Sequence, residues 1–113
     1  MVSVQAPCLD RMLTATLQRT DRGLCVLLTG GDVPHVGAVS LSDESGRVQT
    51  LGLPTHKDGF VSGKWAKELA LRYHLPVSVT CGIHYDNATK KQIETIINSC
   101  DELLRQVQQG LDG

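Results

Sequence analysis

His35, His56 and His84 each stand beside a carboxylate or a glycine in segments that interrupt apolar runs: Gly30-Gly31-Asp32-Val33-Pro34-His35-Val36-Gly37, His56-Lys57-Asp58 and His84-Tyr85-Asp86-Asn87. The last two share the form His-x-Asp, in which a carboxylate can orient an imidazole for binding or proton transfer. If Val77 to Tyr85 is a strand, His84 and Asp86 project together just before a helix whose first N–H groups can hold an anion. Gly31 and Gly37 flank His35 without side chains, so another molecule can approach the backbone there. Gly59-Phe60-Val61-Ser62-Gly63-Lys64 is one residue short of a P-loop and has Trp65 where Ser or Thr would hold magnesium, which rules out a nucleotide-hydrolysis loop. With Ser62 as a helix N-cap, the Gly63 N–H, the Ser62 hydroxyl and the Lys64 ammonium would gather as a phosphate cradle. These loops are expected to converge on one binding site made by His35, Gly37, His56, Asp58, Ser62, Gly63, Lys64, His84, Asp86 and Asn87.

Other chemistries lack their residues. There is no His-x-x-x-His and no Cys-x-x-Cys, so neither a metal centre nor a thioredoxin-like pair is expected, and no Gly-x-Ser-x-Gly elbow marks a serine hydrolase. No catalytic residue is nominated. Cys25, Cys81 and Cys100 read as small core hydrophobes; a nucleophilic Cys81 would require a depressed thiol pKa. His74 reads as a partner of a helix C-terminus rather than of the other histidines. Eleven basic against twelve acidic residues leave a net charge of -1, which supplies no field for nucleic acid or an anionic membrane. No stretch is long and apolar enough to span a bilayer, and no secretory leader is visible, so a cytoplasmic protein of one domain, residues 1–113, is expected.

The elements that must position these residues follow from periodicity. Leu9 to Arg19 alternates as a half-buried strand, Thr20-Asp21-Arg22-Gly23 turns it, and Leu24 to Thr29 is apolar enough for a central strand. Val36 to Ser42 and Arg47 to Leu51 form a further pair around Asp43-Glu44-Ser45-Gly46. After Pro54, the spacing of Trp65, Leu69 and Tyr73 predicts a helix starting at Ser62 and stopped by Pro76. Val77 to Cys81 is a β-branched strand. Thr89 and Gln92 form a capping box for a last helix of about 20 residues, whose apolar stripe includes Ile93, Ile96, Ile97, Cys100, Leu103, Leu104 and Val107 and which should end at Gly110. The expected fold is α+β: an antiparallel β-meander followed by α-β-α, with both helices packed on one face of the sheet. The other face then needs a cover, which argues for a homodimer.

In order, spacing and length, the three loops resemble the small D-type accessory proteins of gallate and related hydroxyarylic-acid decarboxylases, over roughly residues 24 to 105. The resemblance implies a proteasome-assembly-chaperone-like fold and an accessory or chaperone role without turnover. It implies prenylated flavin mononucleotide (or flavin mononucleotide) as ligand and a UbiD-type decarboxylase large subunit as partner. Histidines would then meet polar ring edges, with Trp65 or Tyr85 stacking on the flavin. The alternatives are a small subunit that completes a decarboxylase active site, and an assembly module with no small-molecule ligand.

Overall fold

The computed structural model describes residues 2–54 and 57–113; the expectation for His56 lies outside the described residues. Six strands and two helices follow one another as β1 (Val2–Cys8), β2 (Arg11–Thr20), β3 (Gly23–Gly31), β4 (Ala38–Ser42), β5 (Val48–Gly52), α1 (Gly59–Tyr73), β6 (Val77–His84) and α2 (Lys90–Asp112). The α+β class stands, with both helices against one face of one mixed sheet. The continuous four-strand meander does not. The sheet order is β1-β2-β3-β6-β4-β5, so β6 enters between β3 and β4, parallel to the first and antiparallel to the second. A parallel return needs a crossover, which α1 provides. Val77, Val79 and Cys81 of β6 are fully enclosed, as suits the innermost strand, and the β-branched run serves that burial.

Three further boundaries differ from the sequence reading. Strand β1 was not foreseen because Pro7 weakens its pattern; it is an edge strand, where the missing N–H costs no ladder bond. Helix α1 begins at Gly59 with Asp58 in the N-cap position, one turn before Ser62. Helix α2 runs through Gly110 to Asp112, held there by Tyr73, whose hydroxyl lies 2.8 Å from Asp112 Oδ1 and 3.1 Å from Gln108 O, both acceptors for its one hydrogen. Its capping box is present at both bonds: Gln92 N donates to Thr89 Oγ1 at 3.1 Å and Thr89 N to Gln92 Oε1 at 2.8 Å.

Alternation divides the strands cleanly. Leu13, Ala15 and Leu17, Leu24, Val26 and Leu28, and Val77, Val79 and Cys81 point inward under Trp65, Leu69, Leu103 and Val107. Under α1 the sheet also presents Ser40, whose hydroxyl lies 2.7 Å from both Thr50 Oγ1 and Ser62 Oγ, so the buried hydroxyls of Ser40 and Ser62 are satisfied. The ion pair Lys64–Asp101, at 2.8 Å, and the pairing of Arg72 with Asp112 join the helices in the same order along both helices, so α1 and α2 run parallel. Both N-termini therefore lie at the same end of the molecule, where the strand β6 finishes.

Candidate functional site

Loop 32–37 leaves β3, passes the end of β6 and enters β4, and it is tied down by backbone bonds. Asp32 N donates to His84 O at 2.7 Å, His35 N to Gly82 O at 3.3 Å and Gly37 N to Cys81 O at 2.9 Å. The approach is close enough that a Cβ on Gly82 would run into the carbonyl of His35, and a Cβ on Gly37 into the carboxylate of Asp58. Those two positions require glycine for space rather than for φ.

Asp58 is the hinge of this arrangement. It is 8% exposed, and its Oδ1 accepts the Ile83 N–H at 3.0 Å and lies 3.8 Å from the Cys81 thiol. Its Oδ2 lies 3.2 Å from His35 Nε2, while His35 Nδ1 lies 2.9 Å from Val33 O. Both ring nitrogens thus face acceptors. The His35 and His84 rings meet edge to face with centroids 6.4 Å apart. His84 Nε2 lies 2.9 Å from Asp86 Oδ1, and the Asp86 N–H donates to Asp32 Oδ2 at 3.0 Å. That N–H, together with the Arg11 guanidinium at 2.9 Å, holds Asp32 below the usual carboxylate range. Asn87, with φ of 54°, makes the left-handed corner between β6 and α2.

The structure thus brings His35, Gly37, Asp58, His84, Asp86 and Asn87 to one end of the sheet, beside the start of α1. Ser62, Gly63 and Lys64 are not part of that end. Because α1 starts at Gly59, the Ser62 N–H is already spent on Asp58 O at 2.9 Å, its hydroxyl is buried on Ser40, Gly63 faces Thr50, and the Lys64 ammonium holds Asp101. The premise of a cradle at 62–64 is therefore not met. The first turn of α1 has no side-chain cap and no acidic residue of its own, with Lys57 and the N-cap Asp58 just before it. Trp65 is fully enclosed in the core and cannot stack on a ligand.

A cavity of about 490 Å³ opens between the N-terminal turns of the two helices and the end of β6. It is lined by Lys57, the buried Asp58, His84 and the exposed Phe60, together with Val61, Ile83, Tyr85, Ala88, Ile93, Ile96, Ile97 and Cys100. The cause is visible along α2, which reaches full burial only from Cys100 onward, so its first two turns stand off the sheet. Along the apolar stripe facing the cavity, Ile93 is 48% exposed and Ile96 and Ile97 are part-buried, with Ile96 also packed against the core. Tyr85 is buried with its hydroxyl donating to Cys8 O at 2.7 Å. Burial pushes the Cys100 thiol up to about 12, and burial with the Asp58 charge raises that of Cys81, so neither is a nucleophile. Cys25, expected in the core, instead lies on the outward register of β3 and is exposed. Among the described residues no group of His, Cys, Asp and Glu could hold a metal ion. Sequence reasoning showed the apolar stripe of α2 but not that its isoleucines line a cavity, since periodicity does not say what a stripe faces.

Residues 9–112 match the family model of the prenylated flavin chaperone LpdD-like domain. The chain is similar to Protein LpdD of Lactiplantibacillus plantarum, with 33% identity over 100 residues that span 84% of this chain and 74% of that protein. In three dimensions it is similar to a chain of a chaperone complex for yeast 20S proteasome assembly, with a TM-score of 0.59 at 15% identity, covering 96% of this chain and 94% of the other; that likeness is one of fold. With its loop glycines, its paired histidines and nearly its whole length inside the matched region, the chain belongs to the prenylated flavin chaperone LpdD-like family.

Proposed function

We infer that this chain is an accessory protein that binds prenylated flavin mononucleotide and delivers it to a UbiD-type hydroxyarylic-acid decarboxylase in the cytoplasm, with no turnover of its own. The observation that carries the reading is the incompletely covered isoleucine stripe of α2, which lines a cavity of about 490 Å³ together with residues at the start of α1. A folded chain leaves such a stripe open where a ligand covers it. The residues fit a flavin of this kind. Aliphatic walls accept a ring system, while Lys57 and the parallel N-termini of α1 and α2 favour a phosphate at the mouth. His84, and His35 behind it, would meet the polar ring edge, with Asp58, Asp86 and Asn87 holding the loops and Gly37 giving room. The bound cofactor supplies the decarboxylation chemistry in the partner enzyme; this chain's residues bind it, orient it and keep water from its apolar edge.

The outer face of the sheet supports a homodimer. Ser3, Gln5, Pro7, Met12, Thr14, Thr16, Gln18, Cys25, Leu27, Thr29, Ser78, Thr80, Val39, Leu41, Gln49 and Leu51 alternate with the inward positions, and none of them is charged in a chain that is 20% charged overall. A face without charge meets its own copy without repulsion.

The ligand reading is tested by titrating the protein into prenylated flavin mononucleotide and following flavin absorbance. A saturable shift at one ligand per chain, weakened about tenfold or more by His84→Ala, is expected. Unchanged spectra up to millimolar protein would remove it.

A further inference from the structure

Helix α2 is fastened along only part of its length. Its buried side chains are Cys100, Leu103, Leu104 and Val107, and its ties to α1 are the Lys64–Asp101 ion pair at 2.8 Å and the contacts of Tyr73 and Arg72 with Asp112. Among the described residues, 90–99 make no side-chain hydrogen bond or ion pair to another element: Gln92 bonds Thr89 in the capping box, and Thr95 Oγ1 donates to Lys91 O at 3.2 Å. Ile96, one turn before Cys100, packs against the core. A segment with so few ties moves at lower cost than the core. At its other end it is held by a corner. Tyr85 is anchored through its hydroxyl on Cys8 O; then the Asp86 N–H donates to Asp32 Oδ2 at 3.0 Å, while Arg11 holds Asp32 Oδ1 at 2.9 Å, and Asn87 follows with its φ of 54°. Two large apolar side chains line the cavity from opposite helices and are open to solvent, Phe60 at 69% and Ile93 at 48%.

Resting on the ligand reading above, we propose that residues 86–99 are a lid: the first turns of α2 rock about Cys100 toward the start of α1 once the cavity is filled, with 86–89 as the hinge and Asp32 as the latch that holds the corner open. A few residues between two fixed points suffice to absorb such a change in backbone angles. While the cavity is empty the lid has nothing to close on, and the bond from Asp86 N to Asp32 keeps the corner in place. An occupant gives Phe60 and Ile93 a surface to cover. Burying the exposed remainder of those two side chains slows escape of the occupant by roughly twentyfold to a few hundredfold. From 90 to 100 the helix is a lever of about 15 Å, so a rotation of roughly 15° carries its tip about 4 Å.

The test measures distances between pairs of spin labels, with and without saturating prenylated flavin mononucleotide, in labelled protein diluted with unlabelled chains. Cys25→Ser removes the exposed cysteine and leaves three buried ones, so labels attach at introduced sites. One pair is Lys67→Cys with Lys90→Cys; the control is Lys67→Cys with Gln109→Cys, all at exposed positions. The flavin titration, repeated on each labelled protein, checks that it still binds. On binding, the 67–90 distance should shorten by about 3–5 Å, the reach of that lever, while 67–109 stays fixed. Binding with both distances unchanged would overturn the lid and leave a rigid ligand site; both shifting together would show a helix moving as one body and overturn the hinge. Absence of binding would remove the underlying reading and the lid with it. The latch has its own arm, without ligand. Asp32→Ala should broaden the 67–90 distribution and leave 67–109 narrow, whereas Asp32→Asn, which keeps an acceptor for Asp86 N, should restore the narrow one. A 67–90 distribution indifferent to Asp32→Ala would remove the latch.

Discussion

The polar end of the molecule depends on one buried carboxylate more than on any histidine. Asp58 joins the start of α1, the last turns of β6 and loop 32–37 through Ile83 N and His35 Nε2. Removing it leaves a buried N–H and an imidazole without that acceptor, and such losses run to about 2–4 kcal/mol. Asp58→Ala should therefore lower the thermal midpoint by roughly 10 °C and loosen loop 32–37, read as faster amide exchange at Gly37. An unchanged midpoint would mean that the loop is held by its backbone bonds alone. The sequence displayed this cluster in part. The His-x-Asp spacing put His84 beside Asp86, as the 2.9 Å separation shows. The bond between His35 and Asp58, which lie 23 positions apart, has no local signature, because it exists only once β6 has entered between β3 and β4.

Helix α2 is divided by function along its length. From Cys100 onward its stripe seals the core; before that, the same periodicity builds a wall facing an open cavity. A sequence shows the stripe but not where the opposing surface ends, so Ile93, Ile96 and Ile97 were legible as apolar and not as a binding wall. The capping box was legible because it is local, and both of its bonds are present. Thr89→Ala should cost about 1 kcal/mol and fray the first turns of α2 selectively. Amide exchange should accelerate at residues 90–96 and leave 103–107 unaffected; uniform acceleration would mean that the helix opens as a single unit. The start of α1 was misplaced by one turn because Ser62 has the right side chain for a cap, whereas the true N-cap, Asp58, turns its carboxylate away toward Ile83. A preference for cap residues cannot separate those two cases.

At the scale of the whole molecule, one sheet has two unlike faces: one is covered by parallel helices that frame the cavity, the other is open and uncharged. Six strands at about 4.8 Å spacing, with some seven residues each at about 3.3 Å, present roughly 700 Å² in projection, close to the ~800 Å² per partner of a stable interface. Sedimentation equilibrium should give a dimer at micromolar concentration. Leu27→Glu/Leu41→Glu should give a folded monomer whose Cys25 reacts more readily with thiol reagents than in the wild type; a wild type that is monomeric at high concentration would contradict the homodimer. The fold class was legible because helix and strand periods differ. The order of the sheet was not, since nothing in the linear pattern of β6 says which neighbours it will separate. Central to everything above is a flavin seated between the N-terminal turns of α1 and α2, and amide chemical-shift mapping during titration with prenylated flavin mononucleotide tests it most directly. The largest, saturating shifts should fall at 57–61, 83–88 and 93–100, with the outer strand positions unmoved. Shifts concentrated on the outer sheet face, or none at all, would contradict it.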